Sequence, residues 1–272
     1  MSEQRTILGI VAGSGAYPET LIRAARRMQP GLTICGVGFR GETGETLAEL
    51  CDSFEWFRVG QLVKPLRFLL KNGVRECVMT GQIAPKNLFN LRPDLRALIL
   101  LSRLKRRNAE TIFGMVADEA AREGITVLPA NTYMDDHIPQ SGHIAGPQPD
   151  KRQLEDAAYG ISIAKEVSRL DIGQSVIVRH GTVLAVEGYE GTNECIKRGA
   201  ALGRGKHVTL AKVSKPSHDM RFDIPCVGEH TLLTCIEAGV EQIVIEAHNT
   251  ILLQENRVAE LCKKHKITLH AM

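Results

Sequence analysis

Ile7-Leu8-Gly9-Ile10-Val11-Ala12-Gly13-Ser14-Gly15-Ala16-Tyr17-Pro18 is the stretch that decides the fold class. Its first six residues form an unbroken short apolar run, which suits a strand buried on both faces in a parallel sheet. Gly13-Ser14-Gly15 then reads as a turn, with a helix opening by Glu19. Free amides at such a turn and the positive end of the helix suit a phosphate. A tight turn with no ligand reads the same way, because Pro18 stands where the third glycine of a dinucleotide fingerprint would be.

Working outward, Leu32 to Val37 and Cys77 to Gly81 read as further strands, with a helix after Gln61-Leu62-Val63-Lys64-Pro65-Leu66. Ala109 to Glu123 continues as helix and Ile125 to Pro129 closes the sheet. Strands spaced by helical patterns predict a parallel sheet with crossover helices. Ligands gather at the carboxyl ends of such strands, so Gly13, Ser14, Gly15, Gly81, Gln82 and Lys86 are expected to face one crevice. Between Asp94 and Arg107, apolar pairs alternate with Arg96, Arg103, Lys105, Arg106 and Arg107, the pattern of a basic amphipathic helix suited to an anionic lipid surface or simply to solvent. Trp56, the lone tryptophan, reads as core or interface. Asp135-Asp136-His137 is a poor metal cluster, since neighbours in an extended segment point in opposite directions.

Gly146-Pro147-Gln148-Pro149 stiffens the chain and marks a domain boundary. The expectation is a Rossmann-like first domain over residues 1–146, a linker over 147–152, and a second α/β domain with a mixed sheet over 153–272. In that domain Gln153 to Arg169 reads as helix. Ser175 to Arg179 and Val183 to Glu187 read as a hairpin around His180-Gly181-Thr182. Gly188-Tyr189-Glu190-Gly191 leads into another helix with Thr192 as its N-cap. Val208 to Lys212, Gln242 to Glu246 and Ile267 to His270 read as strands, and 230–238 and 254–264 as helices.

The 272 residues are enough for two modest cores, and 43% apolar with 24% charged residues is an ordinary globular composition. A formal net charge of +3 is too small for a nucleic-acid footprint. The seven cysteines are scattered and never form CxxC, the usage of free thiols in a reducing compartment. The first residues lack the pattern of a signal peptide and no apolar run reaches spanning length, so the expectation is a cytoplasmic protein.

The densest chemistry lies in Lys212-Val213-Ser214-Lys215-Pro216-Ser217-His218-Asp219-Met220-Arg221-Phe222-Asp223-Ile224-Pro225-Cys226-Val227-Gly228. Its prolines exclude one regular helix. Asp219 and Asp223 suit a divalent cation through oxygen, while Lys212, Lys215 and Arg221 suit phosphate oxygens. A solvated loop of internally paired charges is the alternative.

Asp171-Ile172-Gly173-Gln174, Val186 to Thr192 and Lys215 to Pro225 together resemble the LpxI-type UDP-2,3-diacylglucosamine pyrophosphatases, and Gly13 to Pro18, Thr80-Gly81-Gln82 and Gly146-Pro147 match in the same order. The resemblance covers nearly the whole chain. It implies two domains with a ligand cleft between them. It also implies hydrolysis of UDP-2,3-diacylglucosamine, with magnesium or manganese and by attack of water on the uridine-side phosphorus, to UMP and 2,3-diacylglucosamine 1-phosphate in lipid A biosynthesis. On that pattern Asp223 holds the metal with Asp219 as helper, and Lys215 and Arg221 act on the phosphates. Gly13, Ser14, Gly15, Gly81, Gln82, Gln174, Glu190, Gly191, Thr192 and Lys212 are the expected substrate-binding set. The implied partners are the lipid substrate, transiently the inner face of the membrane as a peripheral contact, and a second copy in a homodimer, but no nucleic acid.

Three positions depart from the pattern: His218 replaces a usual glutamine, Asn193 a common aspartate, and Arg107-Asn108-Ala109 an acidic helix start. If those acids support the metal, binding here is weaker. A non-catalytic nucleotide-sugar sensor would use the same turns and clamp without releasing UMP. A nicotinamide dehydrogenase is suggested only by the first turn and lacks an obvious ribose-binding acid.

Overall fold

The computed structural model describes residues 6–83, 93–104, 109–215, 219–221 and 224–272. The chain divides into two compact units. One takes the described residues up to Met134 together with 219–221, and the other takes those from Asp135 to Lys215 and from Ile224 onward.

The first unit is built on a parallel sheet of β1 (Ile7–Ala12), β2 (Thr33–Phe39), β3 (Ser53–Phe57), β4 (Glu76–Thr80) and β5 (Thr126–Val127), in the order β3-β2-β1-β4-β5. The order reverses between β1 and β4, the place where ligands bind in open parallel sheets. Leu8, Ile10 and Ala12 of β1 are buried, as its apolar run requires. Among the described residues the sheet is accompanied by the helices α1 (Tyr17–Met28), α2 (Val63–Lys71), α3 (Leu95–Ser102) and α4 (Ala109–Arg122). α1 buries Leu21, Ile22, Ala24 and Ala25 and leaves Arg23, Arg26 and Arg27 exposed. β3 escaped the sequence reading. It carries Trp56, whose ring meets Phe54 edge-on at 5.0 Å. Gly36 and Gly38 make room for Phe54: a Cβ at either position would lie 2.4 or 2.5 Å from its ring.

α3 is shorter than the expected basic helix and differs in character. Asp94 caps it by accepting from Ala97 N at 2.9 Å, and the same carboxylate accepts from Leu62 N and Val63 N at the start of α2. Arg96 pairs with Glu119 and Glu123 while staying about half exposed, and Leu95, Leu98 and Ile99 are exposed as well. The described part of the helix therefore presents an apolar face. Lys105, Arg106 and Arg107 lie outside the described residues.

The second unit holds α5 (Lys151–Arg169), α6 (Thr192–Leu202), α7 (Glu229–Ala238) and α8 (Glu255–His265). Its main sheet comprises β6 (Gly142–Ala145), β7 (Ser175–Arg179), β8 (Thr182–Val186), β9 (Val208–Lys212), β11 (Val240–Ile245) and β13 (Thr268–Ala271). The order is β6-β13-β11-β9-β7-β8, with β13, β11 and β9 parallel and β6 and β7 antiparallel to their neighbours. It is the expected mixed sheet. β10 (Cys226–Val227) and β12 (Ile251–Leu252) form a separate parallel pair. β6 precedes the Gly146-Pro147 junction yet pairs with β13 of this sheet.

α5 opens on a capping box in which Asp150 and Gln153 exchange side-chain and backbone hydrogen bonds. The β7–β8 hairpin turns through His180 and Gly181, both at positive φ (48° and 68°), the conformation of a type I′ turn. Asp156 of α5, 3% exposed, accepts from both turn amides at 2.9 and 2.7 Å, which pins the hairpin to the helix.

Candidate functional site

In the first unit the structure brings Gly13, Ser14, Gly81 and Gln82 together at the carboxyl ends of β1 and β4. Gly13 N donates to Thr80 O at 2.7 Å, Ser14 N to Gln82 O at 2.7 Å, and Gln82 N to Ser14 O at 3.1 Å. The Ser14 hydroxyl also donates to Gln82 O. Two amides expected for a phosphate are thus engaged with the neighbouring chain. The glycines answer the same contact, since a Cβ on Gly13 would lie 2.4 Å from Gln82 O and one on Gly81 2.6 Å from Ser14 O. Gly15, at φ 91°, faces open space. Lys86 lies outside the described residues.

The charged stretch is partitioned between the units. In the first unit Arg221 holds Asp219 through both carboxylate oxygens, with Nε at 2.9 and 3.0 Å and a terminal nitrogen at 2.6 Å, and reaches Asp118 of α4 at 3.4 Å. The hydrogen bonds it donates to Asp219 raise the guanidinium pKa further. Met220 O accepts from Ala130 N, tying this short segment to the chain beyond β5. Asp118 had no signature in the sequence, being one more acid on a helix. Asp223, expected to be the principal metal carboxylate, lies outside the described residues, as does His218.

In the second unit Lys215 Nζ pairs with Asp171 at 2.6 Å. Asp171 belongs to one of the matching blocks, although its partner was not foreseen. Glu246, just beyond β11, accepts from the amide and hydroxyl of Ser214 at 2.8 and 2.7 Å and pairs with Lys165. Burial alone would raise the Glu246 pKa, but these hydrogen bonds and Lys165 lower it overall. The chain leaving β9 is thereby fixed toward Lys215, and Gln174 contributes its carbonyl to Val213 N at 2.9 Å.

Thr192 is not the N-cap of α6. Gly191 takes that place at φ 83°, and no side chain caps the helix. The Thr192 hydroxyl instead donates to Glu187 Oε1 at 2.9 Å and accepts from Lys212 Nζ at 3.3 Å. Lys212 is 8% exposed. Glu190 bridges Arg198 at 2.6 Å and Gly188 N at 3.1 Å, and the Arg198 bond lowers its pKa. Asn193 meets His230 Nδ1 at 2.9 Å. Glu187 was not foreseen, and only its place directly after β8 hinted at a role.

Among the described residues no group of three or more His, Cys, Asp or Glu side chains converges on one point. Asp118 and Asp219 both pair with the Arg221 guanidinium, and their carboxylate oxygens are donors of the kind that magnesium takes. His137 pairs with Glu255 at 3.1 Å. All seven cysteines are free, and burial pushes Cys195, on the first turns of α6, up to about 12, far from a thiolate at neutral pH. No helix among the described residues is long and apolar enough to cross a membrane.

The LpxI N-terminal domain profile matches residues 7–137 and the LpxI C-terminal domain profile residues 140–270. A Caulobacter vibrioides protein named UDP-2,3-diacylglucosamine pyrophosphatase LpxI is 29% identical over 261 residues, 92% of each chain. Among solved structures, the biotin carboxylase subunit of a pyruvate carboxylase aligns at TM-score 0.28 and 12% identity, over 67% of this chain and 35% of that one. A Hydrogenobacter thermophilus 2-oxoglutarate carboxylase domain aligns at TM-score 0.29 and 12% identity, over 76% and 44%. Overlap that loose carries no argument about fold or chemistry. The two domain profiles run in order across almost the full sequence, and on that ground the chain belongs to the LpxI family.

Proposed function

We propose that this protein hydrolyses the pyrophosphate of UDP-2,3-diacylglucosamine, releasing UMP and 2,3-diacylglucosamine 1-phosphate for lipid A biosynthesis. The observation that carries the reading is the relative of that name, aligned over 92% of both chains, together with both family profiles. Hydrolysis of a pyrophosphate asks for positioning and charge neutralisation more than for covalent chemistry. Magnesium, held by Asp223 and Asp219, would supply part of that neutralisation. Lys215 and Arg221 supply fixed positive charge for the phosphate oxygens. Their ion pairs to Asp171 and Asp219 are partly exposed, so exchanging a carboxylate for a phosphate oxygen costs little.

The substrate carries two acyl chains and lies in a bilayer, so the protein must meet a lipid surface. The exposed Leu95, Leu98 and Ile99 of α3, with Arg103 at its end, support assigning that contact to this helix.

Incubation with UDP-2,3-diacylglucosamine and magnesium tests the reading. UMP must appear, chelator must stop its release, and added magnesium or manganese must restore it. Binding of the substrate with no UMP at any metal concentration would identify a sensor instead.

A further inference from the structure

α5 ends in a set of main-chain bonds that needs no particular side chain. Asp171 N donates to Ser168 O at 3.0 Å and Ile172 N to Val167 O at 3.2 Å, the Schellman motif, with Asp171 in the left-handed region at φ 58°. α2 and α4 end in the same motif, and there Gly73 and Gly124 take the corresponding place at φ 78° and 85°. Glycine suits that conformation, whereas a side chain carries a steric cost that no bond of the motif returns. An acid is a poor choice for a second reason, since the carboxyl end of a helix is already its negative end. Lys266, which follows α8 at φ 56°, has the sign that a helix end favours. Asp171 has the opposite sign.

Its carboxylate accepts from Lys215 Nζ at 2.6 Å. About half of the Asp171 side chain is exposed, and a pair of that kind adds little stability, so stability does not account for an acid at this place. Direction does. The main chain leading to Lys215 is held on several sides: Val213 N donates to Gln174 O at 2.9 Å, Ser214 O accepts from the Ser168 hydroxyl at 3.2 Å, and the amide and hydroxyl of Ser214 donate to Glu246. The lysine stem beyond that fixed backbone is flexible, and the bond to Asp171 fixes its far end. With both ends held, the ammonium has a defined direction, which is what a phosphate clamp needs.

We propose that Asp171 is a positioning residue: it aims the Lys215 ammonium at the pyrophosphate, and it serves direction rather than stability. The proposal rests on the reading in which Lys215 acts on phosphate oxygens.

Asp171→Asn and Asp171→Gly both suit the left-handed cap and remove the charge. In each variant the ligand-free Tm should equal or exceed that of the unmodified protein. With UDP-2,3-diacylglucosamine and magnesium, kcat for UMP release should fall about tenfold or more while KM shifts less than about threefold. Adding Asp171→Asn to Lys215→Ala should cost less than about twofold more, because the aspartate acts only through that lysine. A merely structural Asp171 predicts a lowered Tm and a loss of rate that persists without Lys215. Exchange of the Lys215 ammonium protons with water, followed by NMR, reads the pairing without any hydrolysis, and it should be about threefold or more faster in Asp171→Asn. Wild-type kcat in Asp171→Asn, a lowered Tm in Asp171→Gly, or a further tenfold loss in the Lys215→Ala background overturns the proposal and leaves the reaction standing. If the unmodified protein releases no UMP, the reaction falls by itself. Unchanged exchange at Lys215 then overturns the proposal as well, and faster exchange keeps Asp171 as the residue that aims the lysine.

Discussion

Asp223→Ala should cut turnover by about three orders of magnitude or more while substrate binding survives, because a carboxylate that holds charge in the transition state serves rate more than affinity. Single-turnover UMP release beside thermal unfolding checks it, and a folded variant with wild-type rate contradicts the assignment. Asp219→Ala should do less to turnover. It releases a half-buried pair with Arg221, so the stability loss should be on the order of 1 kcal/mol or less. His270 gives a second outcome at this scale. It is 3% exposed, and burial first, then His143, hold its pKa below the ordinary 6.5. Below pH 6.5 the unfolded chain therefore takes up a proton that the folded chain refuses, so stability falls as pH falls through that window. His270→Gln should show a smaller loss of Tm between neutral and mildly acidic pH; an equal loss would assign the acid sensitivity elsewhere. The candidate residues could be read because charge and glycine cluster visibly around residues 188–192 and 212–223. Partners were not. Asp118 meets Arg221 across 103 positions and Asp171 meets Lys215 across 44, and no local pattern encodes such pairings.

The hairpin of β7 and β8 shows what an element owes to a distant side chain. Its turn was legible in His180-Gly181, but the carboxylate that fixes it sits in the middle of α5. Asp156→Ala should cost about 1–3 kcal/mol, read by denaturant unfolding, because both turn amides lose their acceptor. A change below a few tenths of a kcal/mol would mean that the turn holds itself. The long apolar runs of β1, β2, β4, β9 and β11 announced themselves by composition. β3, β6, β10 and β12 have two to five residues each, and their pairing comes from the neighbours they meet rather than from alternation of their own. α3 was read as basic because arginine and lysine spacing is visible in sequence, whereas the pairing of Arg96 with Glu119 and Glu123 is not. Leu95→Ser with Leu98→Ser should weaken binding to anionic vesicles by about tenfold or more at low salt. If the unmodified protein shows no vesicle binding with or without substrate, α3 is only a solvated helix.

At the scale of the molecule, two α/β units each carry part of the charged stretch, with Asp219 and Arg221 counted in the first and Lys212 and Lys215 in the second. The parallel first sheet and mixed second sheet were legible from the rhythm of strands and helices. The return of residues 219–221 to the first unit was not, because it depends on contacts such as Ala130 N to Met220 O. The central claim is that water splits the substrate's pyrophosphate by attacking the uridine-side phosphorus. Reaction of UDP-2,3-diacylglucosamine in oxygen-18 water with magnesium, followed by mass spectrometry of both products, tests it most directly. Attack on the uridine-side phosphorus predicts one heavy oxygen in UMP and none in 2,3-diacylglucosamine 1-phosphate. Failure to form UMP, or heavy oxygen in the lipid product instead, would contradict it.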